Sequence, residues 1–171
     1  LQSVYSNKVT LPSGGNIVFD TTEALTSIDV NSAKSTKGGD IEETALNTNL
    51  EAAVSLSTQL KLRDIGGLIV VDFIDMMSIN SQKSVMKKMA ELAKIDKAKI
   101  QFSRISKFGL MEISRQKLKS SIIDNNNQQC PTCGGVGHIK SLSTLSVNLV
   151  RMLEEEAMKN SKPLTVYLPV R

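Results

Sequence analysis

Hydrophobic and polar residues alternate along several short stretches of this chain, and such alternation predicts β-strands. We predict strands at residues 16–20, directly after a turn at 12–15, and at residues 25–31, 100–105 and 164–170. The run from Leu68 to Val71 is apolar throughout and predicts a further strand that is fully buried. The pattern of residues 110–118 does not identify their secondary structure.

Three longer segments carry apolar residues at helical spacing, which predicts helices at about 40–63, 81–95 and 142–160. Asp40 and Glu43 form a capping box at the start of the first helix, and Gly66 and Gly67 end that region. Because strands and helices alternate along the chain, the predicted fold class is α/β.

The composition is that of a globular protein with one domain, or one domain and an appendage: 171 residues, 40% hydrophobic and 22% charged. Because no apolar run is long enough to cross a membrane and the first residues are mostly polar, we expect neither a membrane span nor a signal peptide in this sequence. Two cysteines rule out a disulfide-rich secreted scaffold, and 4% aromatic residues argue against a wide base-stacking platform. Because the chain begins with Leu1 and stops in a strand-like run, we expect a piece of a longer protein.

The formal net charge of +4 is distributed unevenly. Residues 83–119 carry eleven basic and three acidic side chains, a net charge of +8, and the rest of the chain carries −4. A basic segment beside an acidic one suits a polyanion held near a metal site. A solvated helix face is the competing interpretation, and charge alone does not separate the two.

Asp29 and Asn31 lie two residues apart in the strand predicted at 25–31. Their side chains therefore share one face of that strand, while Ile28 and Val30 point to the core. The pair offers one charged oxygen ligand and one neutral hydrogen-bonding partner. A polar strand face that ends in a turn would give the same pattern.

Asp72 and Asp75 directly follow the apolar strand. Carboxylates at the end of a buried strand lie at a sheet edge, where α/β proteins tend to bind ligands. A carboxylate near a core needs a cation, a helix N-terminus or hydrogen-bond donors. If Asp29 meets this pair, the group suits Mg²⁺, which leaves water free to act as a nucleophile. The alternative is that Asp72 or Asp75 only caps the next helix or turn.

Cys130 and Cys133 form a Cys-x-x-Cys sequence followed by glycines, which is the pattern of a zinc knuckle. Structural zinc takes four ligands, and this pair supplies two. A second copy of the chain could supply the other two, which predicts a zinc-linked dimer, or His138 could add a third ligand within the chain. A redox dithiol is less favoured, because no thioredoxin-like strand precedes the pair.

Several long, ordered motifs run through the chain: EALTSIDVNSA at 23–33, GGDIEETA at 38–45 with NTNLEAA at 47–53, LRDIGGLIVVDFIDM at 62–76, and ISKFGLMEISRQ at 105–116. Together they resemble the ribonuclease E/G family. The cysteine knuckle falls where that family has its zinc link. The resemblance covers nearly the whole chain.

This resemblance implies a catalytic subdomain similar in fold to deoxyribonuclease I, with a mixed sheet flanked by helices, at residues 1–127. A zinc link at 128–139 and the start of a small α+β dimerisation domain at 140–171 would follow. The implied activity is that of a Mg²⁺-dependent endoribonuclease in RNA processing and mRNA decay in the cytoplasm. It would hydrolyse single-stranded, AU-rich RNA to 5′-phosphate and 3′-hydroxyl ends.

The resemblance also implies roles for individual residues. Asp29 and Asp72 match the positions that bind the catalytic Mg²⁺, and Asn31 matches one that hydrogen-bonds near the scissile phosphate or orients Asp29. Cys130 and Cys133 would share one Zn²⁺ with the same pair of another protomer, in a dimer or a tetramer. Candidate phosphate contacts, ranked by charge and position alone, are Lys34, Lys37, Lys107 and Arg115.

Two other functions compete with the nuclease. The first is a non-catalytic module that provides zinc-linked dimerisation and RNA binding. The second is a chaperone-type zinc domain, which needs several Cys-x-x-Cys-x-Gly-x-Gly repeats where this chain has one.

Overall fold

The computed structural model describes residues 4–33, 41–119, 121–122, 126–159 and 165–167. The chain divides into two compact units, Leu1–Asn127 and Gln128–Arg171. The first unit contains, in chain order, β1 (Lys8–Thr10), β2 (Asn16–Thr21), β3 (Thr26–Asn31), α1 (Ile41–Arg63), β4 (Gly67–Asp72), α2 (Ile79–Ala93), β5 (Ile100–Phe102) and β6 (Leu110–Arg115). The second unit contains α3 (Leu142–Lys159).

The six strands form one mixed sheet in the order β1-β2-β3-β4-β6-β5. β3 and β4 run parallel, because the long helix α1 between them returns the chain to the end of the sheet at which β3 begins. The other neighbouring pairs of this sheet are antiparallel. The predicted α/β class and the mixed sheet flanked by helices are therefore confirmed, while the likeness to deoxyribonuclease I stays a prediction.

The hydrophobic core lies between α1, α2 and one face of the sheet. In β2, β3, β4 and β6, alternate residues point into it: Ile17, Phe19, Ile28, Val30, Ile69, Val71, Met111 and Ile113. α1 contributes alanines and leucines from its buried side, and α2 contributes Val85 and Met89. The opposite face of the sheet carries exposed or half-buried side chains.

This one-sided burial corrects the prediction for the strand at 68–71. Ile69 and Val71 are fully buried, but Leu68 is 48% exposed and Val70 is half-buried. The reason is that, among the described residues, the helices of the core cover one face of the sheet. The same alternation of burial along β6 makes residues 110–115 a strand and ends their ambiguity.

The predicted helices agree with α1, α2 and α3 to within about two residues at each end. Strand β1 is three residues long and was not predicted, and the strand expected at 100–105 ends at Phe102. Of the strand expected at 164–170, residues 165–167 are not in a strand, and the others lie outside the described residues. Asp40 of the expected capping box also lies outside them. No helix in the described ranges has the length and apolarity to cross a membrane.

The second unit, taken by itself, consists of turns around the two cysteines and of α3. No side chain of α3 is buried. Five of its large apolar residues are about half or more exposed: Leu142, Leu145, Val147, Val150 and Met152. The helix therefore presents an apolar surface that this unit, in its described residues, does not cover.

Candidate active site

Asp29 and Asp72 lie side by side near the same end of two neighbouring strands. The parallel register of β3 and β4 pairs Asp29 with Asp72, which is the last residue of β4. Both side chains are exposed on the open face of the sheet, because their chain neighbours Ile28 and Val71 point into the core. The crossover through α1 thus brings together two carboxylates that are far apart in sequence.

Asn31 fixes the orientation of one of these carboxylates. Its Nδ2 donates a hydrogen bond of 2.7 Å to Oδ2 of Asp29. The two residues can meet because burial alternates residue by residue along β3, so that both point to the open face. A carboxylate held in this way needs little reorganisation to accept a ligand through its remaining lone pairs.

Asn49 of α1 holds the segment that carries Asp75. This asparagine is fully buried. Its Oδ1 accepts the Ile74 N–H at 3.0 Å, and its Nδ2 donates to the Ile74 carbonyl at 2.8 Å. Because one rigid amide satisfies both backbone groups of Ile74, the path of the chain between Asp72 and Asp75 is fixed from within the core.

The end of the same segment is fixed by Glu42, also of α1. Its carboxylate accepts the N–H groups of Met77 at 2.8 Å and Ser78 at 3.1 Å. Hydrogen bonds from the side chain of Ser81 and from these two N–H groups lower the pKa of Glu42. α2 begins at Ile79 after Ser78, so neither Asp72 nor Asp75 is its N-cap.

Gly109 brings the turn before β6 against the carboxylates. It has a φ of +78°, and a Cβ at this position would lie 3.0 Å from the Phe73 carbonyl oxygen, 3.2 Å from Oδ1 of Asp75 and 3.7 Å from Oδ1 of Asp72. Its carbonyl accepts the Phe73 N–H at 3.2 Å. The oxygens of Asp72 and Asp75 therefore converge on one small space, which the missing side chain of Gly109 leaves open.

The charges at this point of the sheet are unbalanced. The pKa of Asp72 is raised, first because surrounding protein atoms displace some of the water around this exposed carboxyl and then because Asp29 and Asp75 place negative charge beside it. A carboxylate with two further negative charges beside it attracts a cation.

This donor set fits Mg²⁺. The ion binds oxygen ligands, commonly one or two carboxylates, and completes its shell with water and substrate phosphates. Among the described residues, no group of three or more His, Cys, Asp and Glu side chains is placed to hold a metal by itself. Asp29 and Asp72 would therefore hold Mg²⁺ as a pair, with water and substrate supplying the other ligands.

The cysteine pair of the second unit also has the chemistry of a metal site. The backbone N–H groups of Cys133 and Thr132 and the thiol of Cys133 hydrogen-bond to Cys130 and lower its pKa, which favours the thiolate. Gly134 lies at a φ of +59°, and its N–H donates to the Cys130 carbonyl at 2.8 Å. The loop thus turns back on itself and gathers N–H groups around the sulfur.

The pair fits one half of a structural zinc site, which takes four thiolate or imidazole ligands. His138 lines a cavity of about 600 Å³ beside Thr132 and Cys133, but within the described chain it forms no three-ligand group with the cysteines. The cysteines lie among turns, and α3 begins only at Leu142. They are therefore not at a helix N-terminus, the usual position of a reactive redox thiol.

The candidate phosphate contacts fall into three groups. Lys107 is exposed in the turn before Gly109. Lys34 and Lys37 lie outside the described residues. Arg115 is 3% exposed, forms an ion pair with Asp96 and donates to the Ile65 carbonyl at 2.8 Å. Its guanidinium is buried and bonded to these internal partners. The expectation that Arg115 contacts RNA is therefore wrong.

Comparison with known proteins identifies the family. The sequence profile described as the ribonuclease E/G family matches residues 1–118. The chain belongs to the ribonuclease E/G family. A second profile, described as the thioredoxin-like domain of RNase E/G, matches residues 129–171.

Individual relatives agree with this assignment. The chain is 52% identical to ribonuclease E of Haemophilus influenzae over 172 residues, which are all of this chain and 18% of that protein. It is 50% identical to ribonuclease E of Escherichia coli over 171 residues, or 99% of this chain and 16% of the relative. It is 33% identical to ribonuclease G of Salmonella typhimurium over 151 residues, or 88% and 31%. The chain thus spans less than a fifth of the two ribonuclease E relatives.

Sequence reasoning missed Asn49 and Gly109 as parts of the site of this ribonuclease E/G chain. Asn49 recurs at helical spacing with Ala45, Ala52 and Ala53, and a polar amide among these small apolar residues signals a specific buried partner. Gly109 gave no sequence signal beyond its place in a motif. Its role depends on a contact between the turn before β6 and the end of β4.

Proposed function

We propose that this chain carries the catalytic site of a Mg²⁺-dependent endoribonuclease that hydrolyses single-stranded, AU-rich RNA. The products would be 5′-phosphate and 3′-hydroxyl ends, and the role would be RNA processing and mRNA decay in the cytoplasm. The observation that carries the proposal is the pairing of Asp29 with Asp72 across β3 and β4. Membership of the ribonuclease E/G family supports the reaction class.

Each residue has a definite part in this proposal. Asp29 and Asp72 hold the metal, and Asn31 keeps the Asp29 carboxylate in position through its 2.7 Å hydrogen bond. Mg²⁺, when bound, supplies Lewis acidity to the phosphate ester and activates water for attack on phosphorus. Asn49 and Gly109 keep Asp72 and Asp75 in place. Lys107, exposed beside the site, offsets the charge of a neighbouring phosphate.

The second unit would join protomers. Cys130 and Cys133 would bind one Zn²⁺ together with the same two residues of another copy, which gives a dimer or a higher oligomer. This part of the proposal rests on the Cys130–Cys133 pair, whose loop gathers N–H groups around the Cys130 sulfur, and on the exposed apolar residues of α3.

The test measures cleavage of a 5′-monophosphorylated, AU-rich single-stranded RNA by the full-length protein in Mg²⁺. We expect Asp29→Asn and Asp72→Asn each to lower the cleavage rate by about a thousandfold or more, because each removes one of two metal-binding charges. Asp20→Asn is the matched control, because Asp20 is an exposed aspartate of β2 in the same sheet and pairs with Ser27, near the start of β3 and away from Asp29. Its cleavage rate should stay near that of the unaltered protein.

The non-catalytic module is the rival that this experiment excludes or supports. If the unaltered protein binds the RNA in a salt-dependent way but does not cut it, the binding module is correct. If cleavage persists in both Asp29→Asn and Asp72→Asn, the site assignment fails. Mapping of the 5′ and 3′ ends of the fragments checks the proposed products.

A further inference from the structure

Phe108 is a large aromatic side chain that the fold leaves in solvent. Its side chain is 69% exposed, whereas Phe19 and Phe73 are 5% and 2% exposed and lie in the core. An isolated exposed hydrophobic residue needs no explanation by itself. The position of Phe108 gives it significance, because it directly precedes Gly109, where an added Cβ would lie 3.2 Å from Oδ1 of Asp75 and 3.7 Å from Oδ1 of Asp72.

The turn that carries Phe108 is tightly bonded. Ser106 accepts the Phe108 N–H through Oγ at 3.2 Å and the Gly109 N–H through its carbonyl at 3.1 Å. The Ser106 N–H donates to the Leu110 carbonyl at 2.8 Å, and the Phe73 N–H donates to the Gly109 carbonyl at 3.2 Å. The turn is therefore anchored both to itself and to the segment after β4, and the ring is presented from a fixed base.

The ammonium group of Lys107 lies beside the Phe108 ring. Nζ of Lys107 lies 5.0 Å from the centroid of the Phe108 ring, within the range of a cation–π contact. An aromatic ring beside an ammonium group is the combination with which proteins bind single-stranded nucleic acid: the ring stacks on a base and the cation pairs with the backbone. The adjacent carboxylates would repel the RNA backbone, so a positive group at this point also offsets that repulsion.

We propose that Phe108 is a binding residue that stacks on the base of the nucleotide next to the scissile phosphate, with Lys107 beside it on the RNA backbone. This inference rests on the proposed function and adds a contact that positions the RNA on the Asp29–Asp72 pair. A single ring is consistent with the low aromatic content of the chain, because it positions one nucleotide and forms no extended platform.

The experiment uses the full-length protein and short single-stranded RNAs with one cleavage site. Phe108→Ala should raise KM or lower kcat/KM by roughly five- to 150-fold, which is the usual worth of one stacked base. Phe108→Trp should restore most of the loss, because it keeps an aromatic face. Tyr5→Ala is the matched control: it removes an aromatic side chain of the same unit that is 57% exposed, and it should change neither constant.

A second set of RNAs tests the partner directly. Each RNA lacks the base on one side of the cleavage site. If Phe108 stacks on that base, removing the base should lower kcat/KM of the unaltered protein about as much as Phe108→Ala does. For the Phe108→Ala variant, the abasic and the complete RNA should then give the same kcat/KM. If abasic RNAs impair the variant and the unaltered protein equally at both positions, or if Phe108→Ala leaves KM and kcat/KM unchanged, the inference is overturned.

Failure of this inference is distinguishable from failure of the proposed function. The proposed function fails when cleavage survives Asp29→Asn and Asp72→Asn. The stacking inference fails when cleavage depends on both aspartates but not on Phe108. Circular dichroism of each variant excludes loss of fold, and an exposed ring is not expected to contribute much to stability.

Discussion

Gly109 and Gly67 have similar backbone conformations but opposite surroundings. Their φ angles are +78° and +93°, a region in which an L side chain is strained. A Cβ at Gly67 would meet no atom within 4 Å, whereas a Cβ at Gly109 would lie against the Phe73 carbonyl and Oδ1 of Asp75. Substitution of Gly67 therefore measures the destabilisation that comes from backbone strain alone. Substitution of Gly109 adds the effect of a methyl group placed against Asp75.

We expect Gly67→Ala to lower the free energy of unfolding by about 1–2 kcal/mol, because of strain alone. Gly109→Ala should lower it by more and should also reduce cleavage by the folded protein, because the new methyl group displaces Asp75 and the chain after Asp72. Urea unfolding and cleavage rates under conditions where both variants stay folded measure the two effects. Equal loss of cleavage in the two variants would contradict the role given to Gly109.

The pair Asp96 and Arg115 joins elements that are distant in sequence. Asp96 follows α2, and Arg115 is the last residue of β6. Nε and Nη2 of Arg115 each lie 3.1 Å from a carboxylate oxygen of Asp96, and both side chains are 2% exposed. Nη1 of Arg115 also donates to the Ile65 carbonyl, between α1 and β4. One guanidinium thus connects three segments around the edge of the sheet.

This pair predicts a specific dependence of stability on pH. Burial would raise the pKa of Asp96, but hydrogen bonds from Arg115 and from the Ala98 N–H and the positive charges of Arg115 and Lys61 outweigh it and lower the pKa. Because the folded-state pKa lies below the unfolded value of about 3.9, the stabilisation is fully present above pH 4 and is lost as the pH falls through the folded-state pKa.

The variant Asp96→Asn removes the charge and nearly preserves the shape. At neutral pH we expect it to lower the free energy of unfolding by about 3 kcal/mol, because it leaves the buried guanidinium of Arg115 without a counter-charge. Denaturant unfolding between pH 7 and pH 3 should show this difference shrinking below pH 4. Glu91→Gln, at an exposed acid on α2, should differ little from the unaltered protein at any pH. A difference for Asp96→Asn that does not vary with pH would be contrary to this account.

The elements could be predicted from the sequence because burial follows hydrophobic periodicity in a sheet that is covered on one face. The strand at 68–71 was misjudged for the same reason, since a run of apolar residues does not reveal which face is covered. Arg115 was misassigned because charge and chain position say nothing about burial. The alternation in β6 contained the correct answer, because Arg115 shares a face with Met111 and Ile113.

At the scale of secondary-structure elements, the candidate site could be predicted only in part. Polar groups near strand ends indicate a ligand site in an α/β sheet, and this pattern singles out Asp29, Asn31 and Asp72. Their meeting depends on the order of the strands, which places β3 parallel to β4, and sequence alone does not give that order. Asn49 of α1 and Gly109 of the turn before β6 act through contacts with the segment after β4. Such contacts between elements are visible only in the structure.

At the scale of the whole molecule, the described residues of the second unit leave the apolar side chains of α3 uncovered. α3 has no buried side chain, and most of the stability of a helix in a protein comes from packing an apolar face. Cys130 and Cys133 supply two of the four ligands that structural zinc takes. A second copy of the same unit would meet both needs at once, because it offers an identical apolar helix and an identical pair of thiols.

We therefore expect the full-length protein to contain about one Zn²⁺ for every two chains. The double variant Cys130→Ser/Cys133→Ser should lose the zinc and shift toward the monomer, because a serine hydroxyl is a poor zinc ligand. Light scattering and metal analysis measure both quantities on the same sample. Asp72→Ala is the control: it should lose cleavage but keep its zinc and its oligomeric state, because Asp72 belongs to the first unit.

His138 provides the decisive comparison, since it is the remaining candidate for a third ligand within one chain. If zinc is shared between two cysteine pairs, His138→Ala should leave the zinc content and the dimer unchanged. A monomer that holds a full equivalent of zinc and loses it in His138→Ala would refute the shared site. In that case the exposed apolar residues of α3 would have to be covered by something other than a zinc-linked copy of this chain.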